Sequence, residues 1–288
     1  MMKYRILIVL AVVMLLPGCF SKNVDEETYN SQSYNDCNFY DENEFFSTMP
    51  KEDETLQFEN AKGVICPHHL LASGLIHDVF KAVEKNNYEN VVIIGPNHNS
   101  KKGLQISLSE NDWQTPFGMI SRNAEYNEWL ESYPYAEFDD VLMINEHSSA
   151  ALVPFVKYYF PEAKISTIAL PSTLTKEEAE DFGKFLFENI ESENTLLIAS
   201  IDFSHYLLKE EADEMDIVTL EAIKHRDLER ISRLDNGYLD SPQTLIAFLI
   251  YMNGIGSVDE KLIDHLNSYD IVPVNNQGTT SYLTYVFY

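Results

Sequence analysis

Five of the eight histidines in this 288-residue chain lie just beyond short apolar runs or at the start of a helical pattern. They are His68, His69, His98, His147 and His205. Imidazole groups that converge on one point together with a carboxylate suit a divalent transition metal ion. Two histidines with one Asp or Glu form the set that binds non-haem Fe(II), and a Zn²⁺ site of similar ligands activates water for hydrolysis. The alternative is a set of unrelated surface and capping histidines.

The sequence predicts alternating strands and helices, and these elements would position the histidines. Short apolar runs bounded by turn residues predict strands buried on both faces at residues 64–66, 91–94, 165–170 and 196–200. Helical periodicity predicts helices at residues 71–85, 150–159, 176–190, 209–222 and 243–252. Residues 105–109 and 281–287 look like antiparallel additions to the sheet. The pattern predicts one domain over residues 61–288, a three-layer α/β/α sandwich around a mostly parallel or mixed sheet.

The histidines recur at one place in this predicted fold. His68, His98 and His205 follow three of the predicted strands, and Glu146 and His147 open a predicted helix. Ligands of open α/β sheets bind at the carboxyl ends of the strands, so we expect a single polar pocket there. The metal ion stays open at this point, because the candidate ligands are far apart in the sequence and form no local motif.

The N-terminus has the form of a lipoprotein signal peptide. Lys3 and Arg5 precede an apolar run at residues 6–16, and Leu16-Pro17-Gly18-Cys19 then resembles a lipobox. We predict that residues 1–18 are removed and that Cys19 carries a lipid anchor, which makes the protein an extracytoplasmic, membrane-anchored lipoprotein. An uncleaved N-terminal anchor helix is the alternative. Residues 19–60, rich in Asn, Asp, Glu and Ser, read as an acidic, polar tether, of which residues 39–46 could pack on the domain.

The charge of the chain restricts its partners. The 46 acidic and 20 basic residues give a formal net charge of -26. Such a surface repels phosphate backbones, which argues against nucleic acid as a partner. A small-molecule substrate or a metal ion remains as the expected ligand, with the membrane reached only through Cys19.

Four motifs in order resemble the Memo-like family. They are Pro67-His68, Gly95-Pro96-Asn97-His98, Glu146-His147-Ser148 followed by Pro154-Phe155, and Asp202-Phe203-Ser204-His205-Tyr206. The family has PHAGY, GPSH, EHS followed by PF, and SSDFSHYG in this order. It includes protein B of the AmmeMemoRadiSam system and is similar to class III extradiol ring-cleaving dioxygenases of the LigB type. The resemblance extends from about Gly63 to the C-terminus.

The resemblance implies a set of metal ligands. His68 and His98 match the two ligand histidines of the family, and His205, with Asp202 in the same turn, matches a catalytic acid/base position. The third ligand of Memo-like proteins is a cysteine, and this chain has Asp240 at the matching place. A carboxylate there favours Fe(II), with Zn²⁺, Mn²⁺ or Cu also considered. Asp240 could instead be the N-cap of the helix that opens with Ser241-Pro242.

The other polar residues of the motifs have plainer interpretations. Glu146 and His147 could cap a helix or orient a metal-binding imidazole, and His69 would have an outer or surface role. Ser204 lies beside His205, but no G-x-S-x-G elbow supports a serine nucleophile. The remaining histidines fall on stretches that read as polar helices, and we expect them to be solvated: His77, His225 and His265.

The leading hypothesis for function is a metal-dependent oxidoreductase that uses oxygen, is similar to the dioxygenases, and acts on a small molecule. A non-enzymatic surface lipoprotein that binds a metal or a partner is the alternative, and a metal-dependent hydrolase is a third candidate. The family's PHAGY has become Pro67-His68-His69-Leu70-Leu71 here, which changes groups near the pocket. Catechol ring cleavage therefore does not follow from the resemblance.

Overall fold

The computed structural model describes residues 34–50, 56–99, 103–257, 259–274, 276 and 278–288. The predicted signal peptide and Cys19 lie outside these residues. The strands of the described part are β1 (Tyr34–Asp36), β2 (Gly63–Cys66), β3 (Asn90–Pro96), β4 (Ile106–Leu108), β5 (Asp112–Thr115), β6 (Gly118–Ile120), β7 (Ala136–Phe138), β8 (Lys164–Leu170), β9 (Thr195–Ser200), β10 (His205–Leu207), β11 (Glu260–Asn267) and β12 (Thr279–Phe287).

The helices follow the strands through most of the chain. They are α1 (Glu42–Ser47), α2 (Ser73–Val83), α3 (Ala124–Glu131), α4 (Asp140–Met143), α5 (His147–Ala150), α6 (Val153–Tyr159), α7 (Lys176–Asn189), α8 (Lys209–Lys224), α9 (Leu228–Ile231), α10 (Pro242–Gly254) and α11 (Ser268–Ile271), with a short 3₁₀ helix at Leu70–Ala72. Within the described residues, no helix combines the length and the apolar character that crossing a membrane requires.

The main sheet is mixed, with a parallel centre. Its strands lie in the order β10-β12-β2-β9-β3-β8-β4-β7, and β11 pairs with β12. Strands β2, β9, β3 and β8 are mutually parallel, whereas β12 runs antiparallel to β2 and β4 antiparallel to β8. Residues 106–108 and 279–287 are thus the antiparallel additions that the sequence predicts. Parallel neighbours end at one edge, so β2, β3 and β9 bring their carboxyl ends together.

The core lies on both faces of the sheet, which confirms the three-layer prediction. In β3, Val92 and Ile94 pack into one apolar cluster with α7 and α10, and Val91 and Ile93 pack into another with α2 and α6. Alternate residues of a strand point to opposite faces, and a strand covered on both sides must therefore be apolar throughout. Gly183 permits the packing of α7 on α10, since a Cβ there would lie 2.5 Å from the carbonyl oxygen of Ala247.

The N-terminal part of the described chain packs on the domain. Strand β1 pairs in parallel with β5 in a separate three-stranded sheet, and Phe45 of α1 is 2% exposed. His77 of α2 is fully buried beneath this segment, with its ring nitrogens bonded to the carbonyl oxygen of Phe45 and the hydroxyl of Tyr159. Residues 34–47 thus belong to the folded body, and they include residues 39–46, the part of the expected tether that could pack on the domain.

Two of the histidines expected to be solvated are not. The prediction for His77 was wrong because α1, from a segment distant in sequence, covers α2 at that point. The prediction for His265 was also wrong, since it lies on strand β11 and its Nε2 is 2.8 Å from a carboxylate oxygen of Asp216. His225 ends α8 with its side chain 66% exposed.

Candidate metal centre

His68 stands at the end of β2 with its ring oriented by a hydroxyl. Its Nδ1 lies 3.0 Å from Ser200 Oγ, at the end of β9. The Ser200 hydroxyl donates its own hydrogen to the carbonyl oxygen of Ser148. Ser200 must therefore accept from His68 Nδ1–H, which leaves Nε2 of the neutral ring with a free lone pair. Burial lowers the pKa of His68 to about 3, which keeps the ring neutral.

His98 follows β3 and is held by a buried carboxylate. Its Nδ1 lies 2.8 Å from Glu146 Oε1, and its backbone N–H donates to Glu146 Oε2 at 2.7 Å. Glu146 is fully buried and also accepts from the backbone N–H of Ser148, so it caps α5. Gly95 makes room for α5 against β3, because a Cβ there would lie 2.8 Å from Ser148 Oγ. A carboxylate behind an imidazole in this way fixes its tautomer and aims its other nitrogen.

His147 completes a cluster of three imidazoles. It is the first residue of α5, and its Nδ1 lies 3.5 Å from the same Glu146 oxygen that binds His98. Its ring stacks on that of His98 with centroids 4.3 Å apart, and the His68 centroid is 5.0 Å away. One ring nitrogen each of His68, His98 and His147 lie within 4.8 Å of one another, so the three could hold a metal ion. The sequence interpretation gave His147 only a capping or orienting role.

Asp240 faces these histidines from the start of α10. Its Oδ2 lies 3.3 Å from His68 Nε2 and 3.7 Å from His98 Nε2. The N-cap of α10 is Ser241, whose side chain accepts from the backbone N–H of Thr244 at 3.1 Å. The capping interpretation of Asp240 was therefore wrong. Its Oδ1 is buried and has no hydrogen-bond partner among the described residues, and such an atom is costly unless another group pairs with it.

Asp202 joins the loop after β9 to the cluster. Its Oδ1 accepts from the backbone N–H of His68 at 3.1 Å, and its Oδ2 lies 3.8 Å from His68 Nε2. The backbone N–H of Asp240 donates to the carbonyl oxygen of Asp202, and Asp202 N–H donates to Asp240 Oδ2. Burial raises the pKa of Asp202, and the nearby charges of His205 and His69 oppose that rise. These hydrogen bonds hold the loop after β9 and the start of α10 in fixed positions beside His68.

His205 and His69 occupy different surroundings. His205 lines, with Asp240, a cavity of about 620 Å³, and its Nδ1 is buried without a partner in the described part of the chain. His69 Nδ1 lies 2.5 Å from the hydroxyl of Tyr282, and His69 is not among the clustered histidines. The adjacent histidines thus have separate contacts: His68 belongs to the cluster, and His69 contacts Tyr282 of β12.

The electrostatics of the cluster favour a bound cation. Burial alone would lower the pKa of His98, but the nearby carboxylate of Asp240 and the hydrogen bond to Glu146 outweigh it and raise that pKa to about 10. Burial would raise the pKa of Glu146, yet the bond from His98 lowers it to about 2. Burial and the charge of His98 lower the pKa of His147. The carboxylates therefore hold one proton on His98, and a divalent cation would displace it on binding.

The donor set fits one divalent transition metal ion. Three imidazoles and a carboxylate with an unpaired oxygen converge from the ends of β2 and β3 and the starts of α5 and α10. Nitrogen and oxygen donors of this kind suit Fe, Zn or Mn in the divalent state, whereas Cu(I) prefers soft sulfur ligands. The structure thus brings together His68, His98 and Asp240 from the predicted set and adds His147.

Comparison with known proteins gives the family. The Memo-like protein family matches residues 32–286. A MEMO1 family protein of Aquifex aeolicus is 34% identical over 224 residues, which cover 76% of this chain and 80% of that protein. A second one from the same organism is 30% identical over 256 residues, covering 84% and 67%. The crystal structure of an uncharacterized Escherichia coli K12 protein aligns with a TM-score of 0.49 at 13% identity, covering 78% of this chain and 98% of that one. On its sequence match and its motifs, this chain belongs to the Memo-like protein family.

Proposed function

We propose that the protein binds one divalent transition metal ion through His68, His98 and Asp240 and uses it to oxidise a small molecule. The observation that carries this proposal is the buried, unpaired Oδ1 of Asp240 beside two oriented imidazoles. Two histidines and one carboxylate are the set that leaves open positions on non-haem Fe(II), which is therefore the favoured metal. Bound Fe(II) would supply a redox centre with room for oxygen and a substrate.

The chain's own residues divide the remaining tasks. Glu146 and Ser200 hold the ligand rings by their Nδ1 atoms, so that the opposite nitrogens need little reorganisation to bind. His205 lines the adjoining cavity and would hold or release a proton at its unpaired Nδ1. Asp202 accepts from the backbone N–H of His68 and so joins the segment that carries His205 to the metal ligands.

A metal-dependent hydrolase is the second candidate, and His147 is what favours it. Three histidines with an open fourth position are the set by which catalytic Zn²⁺ activates water. The three clustered imidazoles offer that set. The two candidates differ in which group is the third ligand, Asp240 for the oxidoreductase and His147 for the hydrolase.

The location of the protein is part of the proposal. The basic and apolar N-terminus with Leu16-Pro17-Gly18-Cys19 supports a lipoprotein anchored outside the cytoplasm at Cys19. A protein that binds a metal or a partner there without catalysis is the remaining alternative. The net charge of -26 argues against nucleic acid as that partner.

Metal analysis of protein purified without oxygen tests the proposal. We expect one metal ion per chain in the wild type, its loss in His68→Ala and Asp240→Ala, and its retention in His147→Ala. The exposed His225→Ala is the matched control and keeps the metal. A wild type without stoichiometric metal contradicts both candidates, and metal lost in His147→Ala but kept in Asp240→Ala selects the hydrolase set. Oxygen uptake by the Fe(II)-loaded protein with phenolic substrates then separates an enzyme from a binder.

A further inference from the structure

Residues 35–39 run beside residues 140–147, the segment that ends at His147 of the metal centre. The two segments touch at three points, which come in the same order along each. These contacts are Asn35 Nδ2 donating to Asp140, Asn38 Nδ2 donating to the carbonyl oxygen of Ile144 at 3.5 Å, and the ring of Phe39 against that of His147 with centroids 5.9 Å apart. A stretch from before β2 thus accompanies the segment that leads into the cluster of imidazoles.

The first of these contacts is buried and well connected. Asn35 is 2% exposed, and its Nδ2 also donates to Ser109 Oγ at 2.9 Å. Ser109 Oγ in turn donates at 2.8 Å to the same Asp140 oxygen that Asn35 reaches. Buried polar side chains linked in this way hold one another in fixed positions. Strand β1 is therefore fastened to the start of α4, a few residues before the metal centre.

His147 has few contacts of its own that would hold its ring. It is the first residue of the four-residue helix α5, and its side chain is 40% exposed. Its Nδ1 lies 3.5 Å from Glu146 Oε1, beyond the usual range of a hydrogen bond. Among the described residues, its ring contacts are with His68, His98 and Phe39. Two of those rings belong to the cluster itself, so Phe39 provides the ring contact from outside the cluster.

We infer that Phe39 is a positioning residue of the metal centre, which holds the imidazole of His147 beside that of His98. Rings with centroids about 4.5–7 Å apart attract each other, and without that contact a partly exposed side chain gains rotamers. The centre thereby depends on a residue that lies before residue 61, the predicted start of the domain. The inference rests on the proposed function only for the metal ion, and it bears most on the hydrolase candidate, in which His147 is a ligand.

Reaction of the histidines with diethyl pyrocarbonate tests this role in the full chain after a chelator has removed metal. The reagent attacks a free imidazole nitrogen, and mass spectrometry gives the rate at each histidine. Phe39→Ala should raise the rate at His147 by roughly threefold or more, because an aromatic contact is worth about that factor in an equilibrium constant. Phe39→Tyr keeps the ring and should react at His147 as the wild type does. An unchanged rate at His147 in Phe39→Ala overturns the inference.

Other positions show whether the effect is local. The side chain of His225 is 66% exposed and His77 is fully buried beneath α1, so the first should react equally in all variants and the second should stay unreactive. Phe46→Ala removes the same ring from the same part of the chain, at a position 47% exposed that has no described contact with His147, and should not change the rate there. Rates that rise at His77 and His147 together in Phe39→Ala would show a role in folding alone and contradict the inference.

The metal content of the same samples is measured before the chelator is added. A wild type without metal, in which Phe39→Ala still raises the rate at His147, would refute the proposed function and leave the positioning role intact.

Discussion

Two groups of side chains in this protein each bring three potential metal ligands close together. One is His68, His98 and His147, and the other is Asp213, Asp216 and His265, and in each the three potential ligand atoms lie within 4.8 Å of one another. In the second group each charge has a partner within the protein. Asp216 accepts from Ser204 Oγ and lies 2.8 Å from His265 Nε2, and Asp213 lies 2.9 Å from Lys209 Nζ.

The first group differs in the atoms that it leaves without partners. The Nδ1 atoms of His68 and His98 are bonded to Ser200 and Glu146, which directs their Nε2 atoms toward Asp240. The Oδ1 of Asp240 has no partner among the residues that the structure describes. Residue types alone thus do not single out a candidate metal centre, whereas oriented donor atoms without partners favour one. The second group anchors a loop of the first group's site. Ser204, which donates to Asp216, belongs to the segment that carries Asp202 and His205.

Metal affinity should separate the two groups by the largest margin. We expect His68→Ala to weaken binding of Zn²⁺ or Fe(II) by more than about 100-fold, because losing even an outer hydrogen-bond partner of a ligand costs about 10- to 100-fold. His265→Ala removes the corresponding imidazole of the second group and should leave the affinity unchanged. Competition with a chromophoric chelator measures both. An equal loss of metal affinity in His68→Ala and His265→Ala would show that the two groups do not differ as metal sites.

The free energy of unfolding should depend on the second group, whereas metal affinity depends on the first. Asp216 is fully buried, so Asp216→Ala leaves His265 and Ser204 without their partner and should lower the free energy of unfolding by about 3 kcal/mol. Asp213→Ala, in which a carboxylate 43% exposed loses only its pair with Lys209, should cost less than about 1 kcal/mol. Urea unfolding of the metal-free variants measures both values. An Asp216→Ala variant as stable as Asp213→Ala would remove the anchoring role.

The orienting carboxylate gives a smaller effect on the metal centre. Glu146→Gln keeps the size of the side chain and a carbonyl acceptor but removes the charge that holds His98 and His147. We expect metal affinity to fall by about 10-fold, the lower end of the range for such partners. Asp216→Asn is the matched change in the second group and should not alter metal affinity. If Glu146→Gln binds metal as the wild type does, the rings are oriented by packing alone.

The sequence predicts the frame of this site better than its details. The strands that lead to His68 and His98 are buried and almost wholly apolar, so their position and the shared edge follow from local pattern and chain order. The sequence does not show which residue caps α10, since Asp240 and Ser241 are both good N-caps. Only packing decides that Ser241 caps the helix and that Asp240 faces the histidines. His147 joins the cluster because Gly95 lets α5 approach β3, and the sequence does not show that contact. His77 is buried by Phe45, from the part of the expected tether that could pack on the domain, but the sequence does not show which helix it covers.

The pH dependence of stability gives the smallest and most specific test. The hydrogen bond to Asp216 is the main cause that raises the pKa of His265, burial opposes it, and the charges of Asp213 and Lys209 act in opposite directions. A raised folded pKa means that the pair stabilises the fold fully below the unfolded value of about 6.5 and loses this contribution as the pH rises through the folded value. The difference in unfolding free energy between wild type and His265→Gln should therefore be larger near about pH 5.5 than near about pH 9. A difference that grows with pH would mean that His265 is neutral in the folded protein. Its contact with Asp216 would then not be an ion pair.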